Sequence, residues 1–221
     1  MFLSITERGT GDARGTIFCN LVAISPEAGM VGNHRKLIPT FDERLVWGFG
    51  DGFGLEAYDV KGAKAGGLNC WENWMPLARY ALYCGGEDIH VSTWPGADAE
   101  ATRIVKTIAK EGRVWSIAPS GILSIDDIPT SFALYDEIRE SGETQFFNGG
   151  SSIVDPCGNY VVGPILDKEQ LLIADIDLDI VRQERQSFDP SGHYSRPDVF
   201  EFVVNRQRQH RVRYIDSDPE G

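Results

Sequence analysis

The 221-residue sequence is short of basic charge, of paired cysteines and of long apolar runs, and each shortage removes a class of function. Lys and Arg number 21 against 33 Asp and Glu, a formal net charge of −12. Phosphate backbones are bound by clustered cations, so nucleic acid is not the expected partner, and the acidic balance is read as solubility. The only basic cluster, Arg206 to Arg213, is short and reads as a solvated face or an assembly contact. Cys19, Cys70, Cys84 and Cys157 include no C-x-x-C pair. Neither a zinc site nor a disulfide framework is indicated, and reduced thiols in a cytoplasmic protein are expected. No apolar run reaches the roughly 18 residues of a membrane span, so no membrane partner is expected. The N-terminus has no basic flank leading into a signal-type core. A G-x-G-x-x-G spacing is absent too. Gly48, Gly50, Gly52 and Gly54 lead into a strand-like stretch and read as a tight loop allowing close backbone approach.

What remains is 42% hydrophobic and 24% charged, the composition of one globular domain able to bury a core. Phe2 to Arg8, Thr16 to Ser25 and Met30 to His34 read as a three-stranded meander, with Pro26 and Glu27 in its second turn. Further strands are expected at Leu55 to Val60, Ala63 to Asn69, Glu87 to Thr93, Val114 to Ala118, Leu171 to Leu178 and Val199 to Val204, and a hairpin from Ser151 to Val162. Helices are expected at Pro76 to Cys84, with Leu77, Tyr80, Ala81 and Cys84 inward, at Ala97 to Glu111, and at Ser131 to Glu140, with Phe132, Leu134, Tyr135 and Ile138 inward. Strands and helices alternate between terminal hairpins, which predicts a mixed-sheet, layered α/β fold. Residues 1–204 read as one domain and 205–221 as a polar tail.

The stretch best suited to chemistry is Gly66 to Leu77, where strand pattern gives way to helix pattern at Cys70. A cysteine at the positive end of a helix is favoured as thiolate and is a candidate nucleophile. The alternative is a small buried hydrophobe. A cysteine hydrolase also needs a cation for developing charge and a carboxylate to move protons. Lys36 and Glu43 could supply these, although the residues alone favour a surface lysine and a solvated Glu43–Arg44 pair.

The words His34-Arg35-Lys36-Leu37-Ile38-Pro39-Thr40 with Glu43-Arg44, then Gly50-Asp51-Gly52, then Cys70-Trp71-Glu72-Asn73 with Met75-Pro76-Leu77, resemble the nitrilase branch of the carbon-nitrogen hydrolase superfamily. Thr6-Glu7-Arg8, Glu111-Gly112-Arg113-Val114, Gly149-Gly150-Ser151, Asp155-Pro156-Cys157-Gly158 and Gly192-His193-Tyr194 extend the resemblance over nearly the whole chain. It implies a four-layer αββα sandwich and a homo-oligomer, either a dimer or a spiral. It further implies a small nitrile as substrate and no metal or organic cofactor. On the matching positions Cys70 corresponds to the nucleophile, Lys36 to the catalytic lysine and Glu43 to a second glutamate. The N–H of Trp71 would hold developing negative charge, and Glu72 has a structural or a catalytic role.

The family's water-activating glutamate lies upstream of its lysine, whereas here Glu7 and Glu27 stand in other words. The resemblance therefore implies a chain lacking the first strand, first helix and base-bearing loop. Three functions stay open: conversion of a nitrile to a carboxylic acid and ammonia; cyanide hydration or amide hydrolysis by the same set; or a catalytically silent truncated subunit acting only in assembly. Trp47, Trp71, Trp74 and Trp94 read equally as pocket lining and as core.

Overall fold

The computed structural model describes residues 1–96 and 99–210, which fall into two compact units, one of residues 1–54 with the C-terminal segment from Val203, the other Leu55–Phe202.

The first unit is the expected meander. Strands β1 (Phe2–Arg8), β2 (Ile17–Ser25) and β3 (Gly29–Arg35) pair antiparallel in that order. The β2–β3 turn is closed by Ser25, whose Oγ accepts from the N–H groups of Glu27 and Ala28. Central β2 carries the apolar load, burying Phe18, Leu21, Val22 and Ala23. A polar ladder crosses all three strands. Glu7 on β1 accepts from Asn20 on β2 and from Asn33 and Arg35 on β3, and the Arg35 guanidinium lies 4.1 Å over the Phe18 ring.

The expected strand over Val199 to Val204 does not form. The basic cluster is also not simply a solvated face, because Arg208 donates to the buried Asp51 and to the Asn33 carbonyl while Gln209 N–H donates to Asp51. Residues 211–213 of the cluster lie outside the described residues.

The second unit holds a mixed sheet. Strands β4 (Tyr58–Val60), β5 (Ala63–Asn69), β6 (Ile89–Thr93), β7 (Trp115–Ala118), β9 (Gln145–Val154) and β10 (Tyr160–Leu166) lie in the order β10-β9-β7-β6-β5-β4, with β8 (Ile122–Ser124) on β9. β5, β6 and β7 are parallel and need crossovers, supplied by helices α1 (Pro76–Cys84) and α2 (Ala99–Gly112). The expected start of α2 at Ala97 lies outside the described residues. Alternation along the strands sorts side chains to two faces. Val114, Ala118 and Val154 pack with Ile104, Val105 and Ile108 of α2, whereas Trp115 and Ile153 pack with Val181 of helix α4 (Leu178–Ser187).

Three readings are corrected. Leu171 to Leu178 is not a strand. Leu172, Ala174 and Ile176 turn inward and Leu171 and Ile173 outward, so the period of two is real, but the segment pairs with no strand and runs into α4, whose cap is Asp177. Helix α3 spans only Tyr135–Glu140 and buries nothing, with Phe132 and Leu134 half exposed. Helix α1 buries Ala78, Arg79, Leu82 and Tyr83 and leaves Leu77 and Cys84 exposed. Its inner face is turned by one residue because Arg79 and Tyr83 both bond Glu111. Among the described residues no helix is long and apolar enough to cross a membrane.

The Arg35 hydrogen bond, with Asn20 and Asn33, lowers the Glu7 carboxyl from 4.5 to about 2. A depressed carboxylate stabilises the fold above its unfolded value, and that stability drains away as pH falls from 4.5 toward 2. The urea midpoint of the wild-type chain should therefore drop more steeply through that window than the midpoint of Glu7→Gln. Parallel curves would show that Glu7 contributes nothing to acid sensitivity.

Candidate functional site

Lys36 and Glu43 come together in the first unit. Lys36 follows β3 and continues its pairing, its N–H donating to the Cys19 carbonyl at 2.8 Å. Its side chain is 2% exposed, which excludes the surface-lysine alternative. A buried ammonium costs several kcal/mol to desolvate unless it is paired. Nζ donates to Glu43 Oε2 at 2.6 Å and to Thr40 Oγ1 at 3.2 Å. Arg44 is not Glu43's partner; its Nε donates to the Pro39 carbonyl.

Glu43 reaches the lysine because of the local chain path. Thr40 caps a 3₁₀ turn over Phe41–Leu45, and Glu43 Oε2 accepts the Thr40 N–H at 2.7 Å. Phe41, at φ 46°, bends the chain through the left-handed region, which is costly for a residue with a Cβ.

Cys70, Trp71 and Glu72 lie in the second unit. Cys70 stands at the end of β5 with φ 52°, half-buried and packed with Trp74 against the core that contains Trp94. The strand-to-helix pattern predicts Cys70 at the positive end of α1. That is corrected: a five-residue 3₁₀ turn, Cys70–Trp74, intervenes, and α1 starts only at Pro76. Asn69 caps this turn, donating its N–H to Glu72 Oε2 at 2.7 Å. Glu72 is 2% exposed, and its carboxylate is engaged by the cap of its own turn. Trp71 is 43% exposed, its ring 6.4 Å from that of Trp74. Trp47 belongs to the first unit, bridging to Ile17.

Sequence reasoning missed Thr40 as a lysine partner and Asn73, His90 and Glu87 altogether. Asn73 is fully buried and donates to the carbonyls of Leu68 and Cys70. The signal for Thr40 and Asn73 was available, since each stands in a word already singled out. Nothing in the strand pattern marks His90.

The Gly48–Gly54 loop works by close approach. Gly50 N–H donates to the Lys36 carbonyl at 2.9 Å, and a Cβ on Gly50 would lie 2.1 Å from the Arg35 carbonyl oxygen.

The chain is similar to known proteins over most of its length. The family model described as carbon-nitrogen hydrolase matches residues 2–186. A nitrilase of Bradyrhizobium diazoefficiens is 37% identical over 206 residues, 92% of this chain and 63% of that protein. An aliphatic nitrilase of Sinorhizobium fredii is 38% identical over 200 residues, 90% of this chain and 63% of that protein. The chain thus spans 63% of the length of these two curated relatives. A carbon-nitrogen hydrolase from Helicobacter pylori G27 shares the fold, with a TM-score of 0.70 at 22% identity over 89% of this chain and 68% of that one.

Because the atoms facing a Cβ at position 50, the Arg35 carbonyl carbon and oxygen and the Lys36 carbonyl oxygen, are all backbone, they cannot swing aside. Gly50→Ala should cost about 1–3 kcal/mol of stability, the usual penalty for forcing an extra methyl into a filled space. Chemical denaturation reads it, and an unchanged midpoint would mean that the loop is free to move away from Lys36.

Proposed function

Since the chain belongs to the carbon-nitrogen hydrolase family, with its αββα-class fold, we propose that it hydrolyses a nitrile to a carboxylic acid and ammonia, with Cys70 as nucleophile, Lys36 as the cation and proton donor, and Glu43 as the carboxylate that holds Lys36. The observation that carries the reading is the state of Lys36. An ammonium has three hydrogens. Among the described residues Glu43 and Thr40 take two of them, which leaves one for a nitrogen on which negative charge develops.

The chemistry follows from that donor and the thiol. The Cys70 thiolate adds to the nitrile carbon, forming the C–S bond, and the electron pair displaced onto nitrogen is protonated with help from Lys36, giving a thioimidate. Water adds to that carbon, ammonia leaves, and a thioester remains. A second water releases the acid and restores the thiol. The Trp71 N–H, next to the nucleophile in sequence, is the proposed second donor to developing charge. Glu72 supports the turn. A reduced thiol accords with a cytoplasmic setting, and a hydrolase domain over residues 1–204 that assembles into a dimer or spiral completes the reading.

The similarity to nitrilases at 37–38% identity favours nitriles over amides. The test is to offer the chain a panel of aliphatic and arylaliphatic nitriles, following ammonia and the mass of the Cys70 peptide. A nitrile should add its own mass at Cys70 and release ammonia. Cys70→Ala should do neither while staying folded, and Lys36→Gln should lower the rate of adduct formation by about 10²- to 10³-fold, the scale of losing one preorganised donor. Ammonia release surviving in Cys70→Ala would sink the assignment. An amide as sole product would move it to nitrile hydration.

A further inference from the structure

A fully buried chain of polar side chains ends on the backbone of Cys70. His90 lies on β6 and Glu87 three residues before it, both at 0% exposure. Gly66 on β5, opposite His90, leaves the space, for a Cβ there would lie 2.6 Å from Glu87 Oε1. His90 Nδ1 is 3.0 Å from both Glu87 carboxylate oxygens, and Nε2 is 2.8 Å from Asn73 Oδ1. Asn73 gives both amide hydrogens away, at 3.1 Å to the Leu68 carbonyl and 2.9 Å to that of Cys70.

The direction of this chain is fixed. With both its hydrogens donated, Asn73 presents Oδ1 only as an acceptor, so Nε2 of His90 carries a hydrogen whether the remaining proton sits on Nδ1 or on the carboxyl. The two ends are pinned separately. Arg185 donates to the Glu87 carbonyl, and Arg79 Nη1 to the Asn73 carbonyl at 2.8 Å. A buried imidazole–carboxylate pair seldom stabilises a fold more than apolar residues of equal volume would. What apolar residues cannot do is hold an amide in one orientation.

We propose that Glu87, His90 and Asn73 form a positioning relay that holds Cys70 in its left-handed backbone conformation and thereby sets where its sulfur stands. The inference rests on the reading of Cys70 as nucleophile.

The test uses the full chain and the variants Asn73→Asp, His90→Leu and Glu87→Gln. One readout is the rate at which iodoacetamide alkylates Cys70, resolved by peptide mass spectrometry with exposed Cys84 and Cys157 as internal references. The other is kcat and KM for the nitrile that reacts best. Asn73→Asp keeps the shape and removes both donors. It and His90→Leu should slow Cys70 labelling about tenfold and kcat about 100-fold, the usual result of a small misplacement, with KM and the reference cysteines little changed. Glu87→Gln should keep most of both rates, because its amide can donate to Nδ1 and leave the hydrogen on Nε2. If His90→Leu does not fold, Asn73→Asp decides alone. A folded Asn73→Asp with wild-type labelling at Cys70 would overturn the relay, as would a Glu87→Gln as impaired as His90→Leu. Labelling needs no nitrile, so the two readings fail separately. Slowed labelling with no turnover in any chain retires nitrile hydrolysis and keeps the relay. Unchanged labelling with normal turnover does the reverse.

Discussion

A residue with a Cβ stays in the left-handed region only where its neighbours leave it no alternative, and both chemistry-bearing words of this chain are built on that constraint. In each, a capping residue (Thr40, Asn69) precedes a residue at positive φ (Phe41 at 46°, Cys70 at 52°), and a glutamate two positions on accepts the cap's N–H at 2.7 Å (Glu43, Glu72). Each such residue costs about 1–2 kcal/mol against the ordinary helical region. The glutamate bond offsets part of that cost and closes the turn. The two glutamates then diverge. Glu43's side chain is 37% exposed and also takes the Lys36 ammonium, whereas Glu72 is sealed in. The same capping geometry thus serves a charge pair in one word and a strained thiol in the other.

Cys70 packs with Trp74 on an apolar core, while its carbonyl is held by a polar set that is buried and paired. Arg79 shows how far this goes. At 5% exposure it forks onto Glu111, at 2.9 and 3.0 Å, and gives a third hydrogen to the Asn73 carbonyl. Tyr83 bonds the same glutamate, and burial, with the charges of Glu111 and Glu87 behind it, holds its hydroxyl protonated well above the usual range. Removing one partner from such a set leaves an uncompensated buried charge, which costs more than the pair contributes. The α1 face that hydropathy would bury is therefore not the face that is buried.

That is also why the sequence was legible in some places and not in others. Alternation in β1 to β3 and the apolar stripe of α2 are statements about burial against a single core, and periodicity reads them directly. Lys36, Cys70 and Glu43 stood out because their words have a known shape. Arg79 and His90 did not, since a polar residue's burial depends on partners such as Glu111, 32 residues away from Arg79, or Asn73, 17 away from His90. The segment before α4 misled differently. Its inward residues do alternate, but a period of two marks an extended chain over an apolar face and does not by itself supply a hydrogen-bonded neighbour.

The asymmetry of the Lys36–Glu43 pair bears on how the proposed chemistry ends its first step. If the ammonium gives up its proton for good, an amine remains beside a carboxylate whose counter-charge has gone. A fully buried carboxylate could not be left that way without heavy cost. Glu43, about a third exposed, keeps access to water and can be solvated while the lysine is neutral. The lysine itself is 2% exposed, so an ammonium restores the balanced pair. A proton lent to nitrogen and then recovered is therefore favoured over one lost to solvent. In the proposed chemistry Lys36 would then serve chiefly as a fixed donor that follows charge as it develops, the form of stabilisation that needs no reorganisation at the moment of reaction.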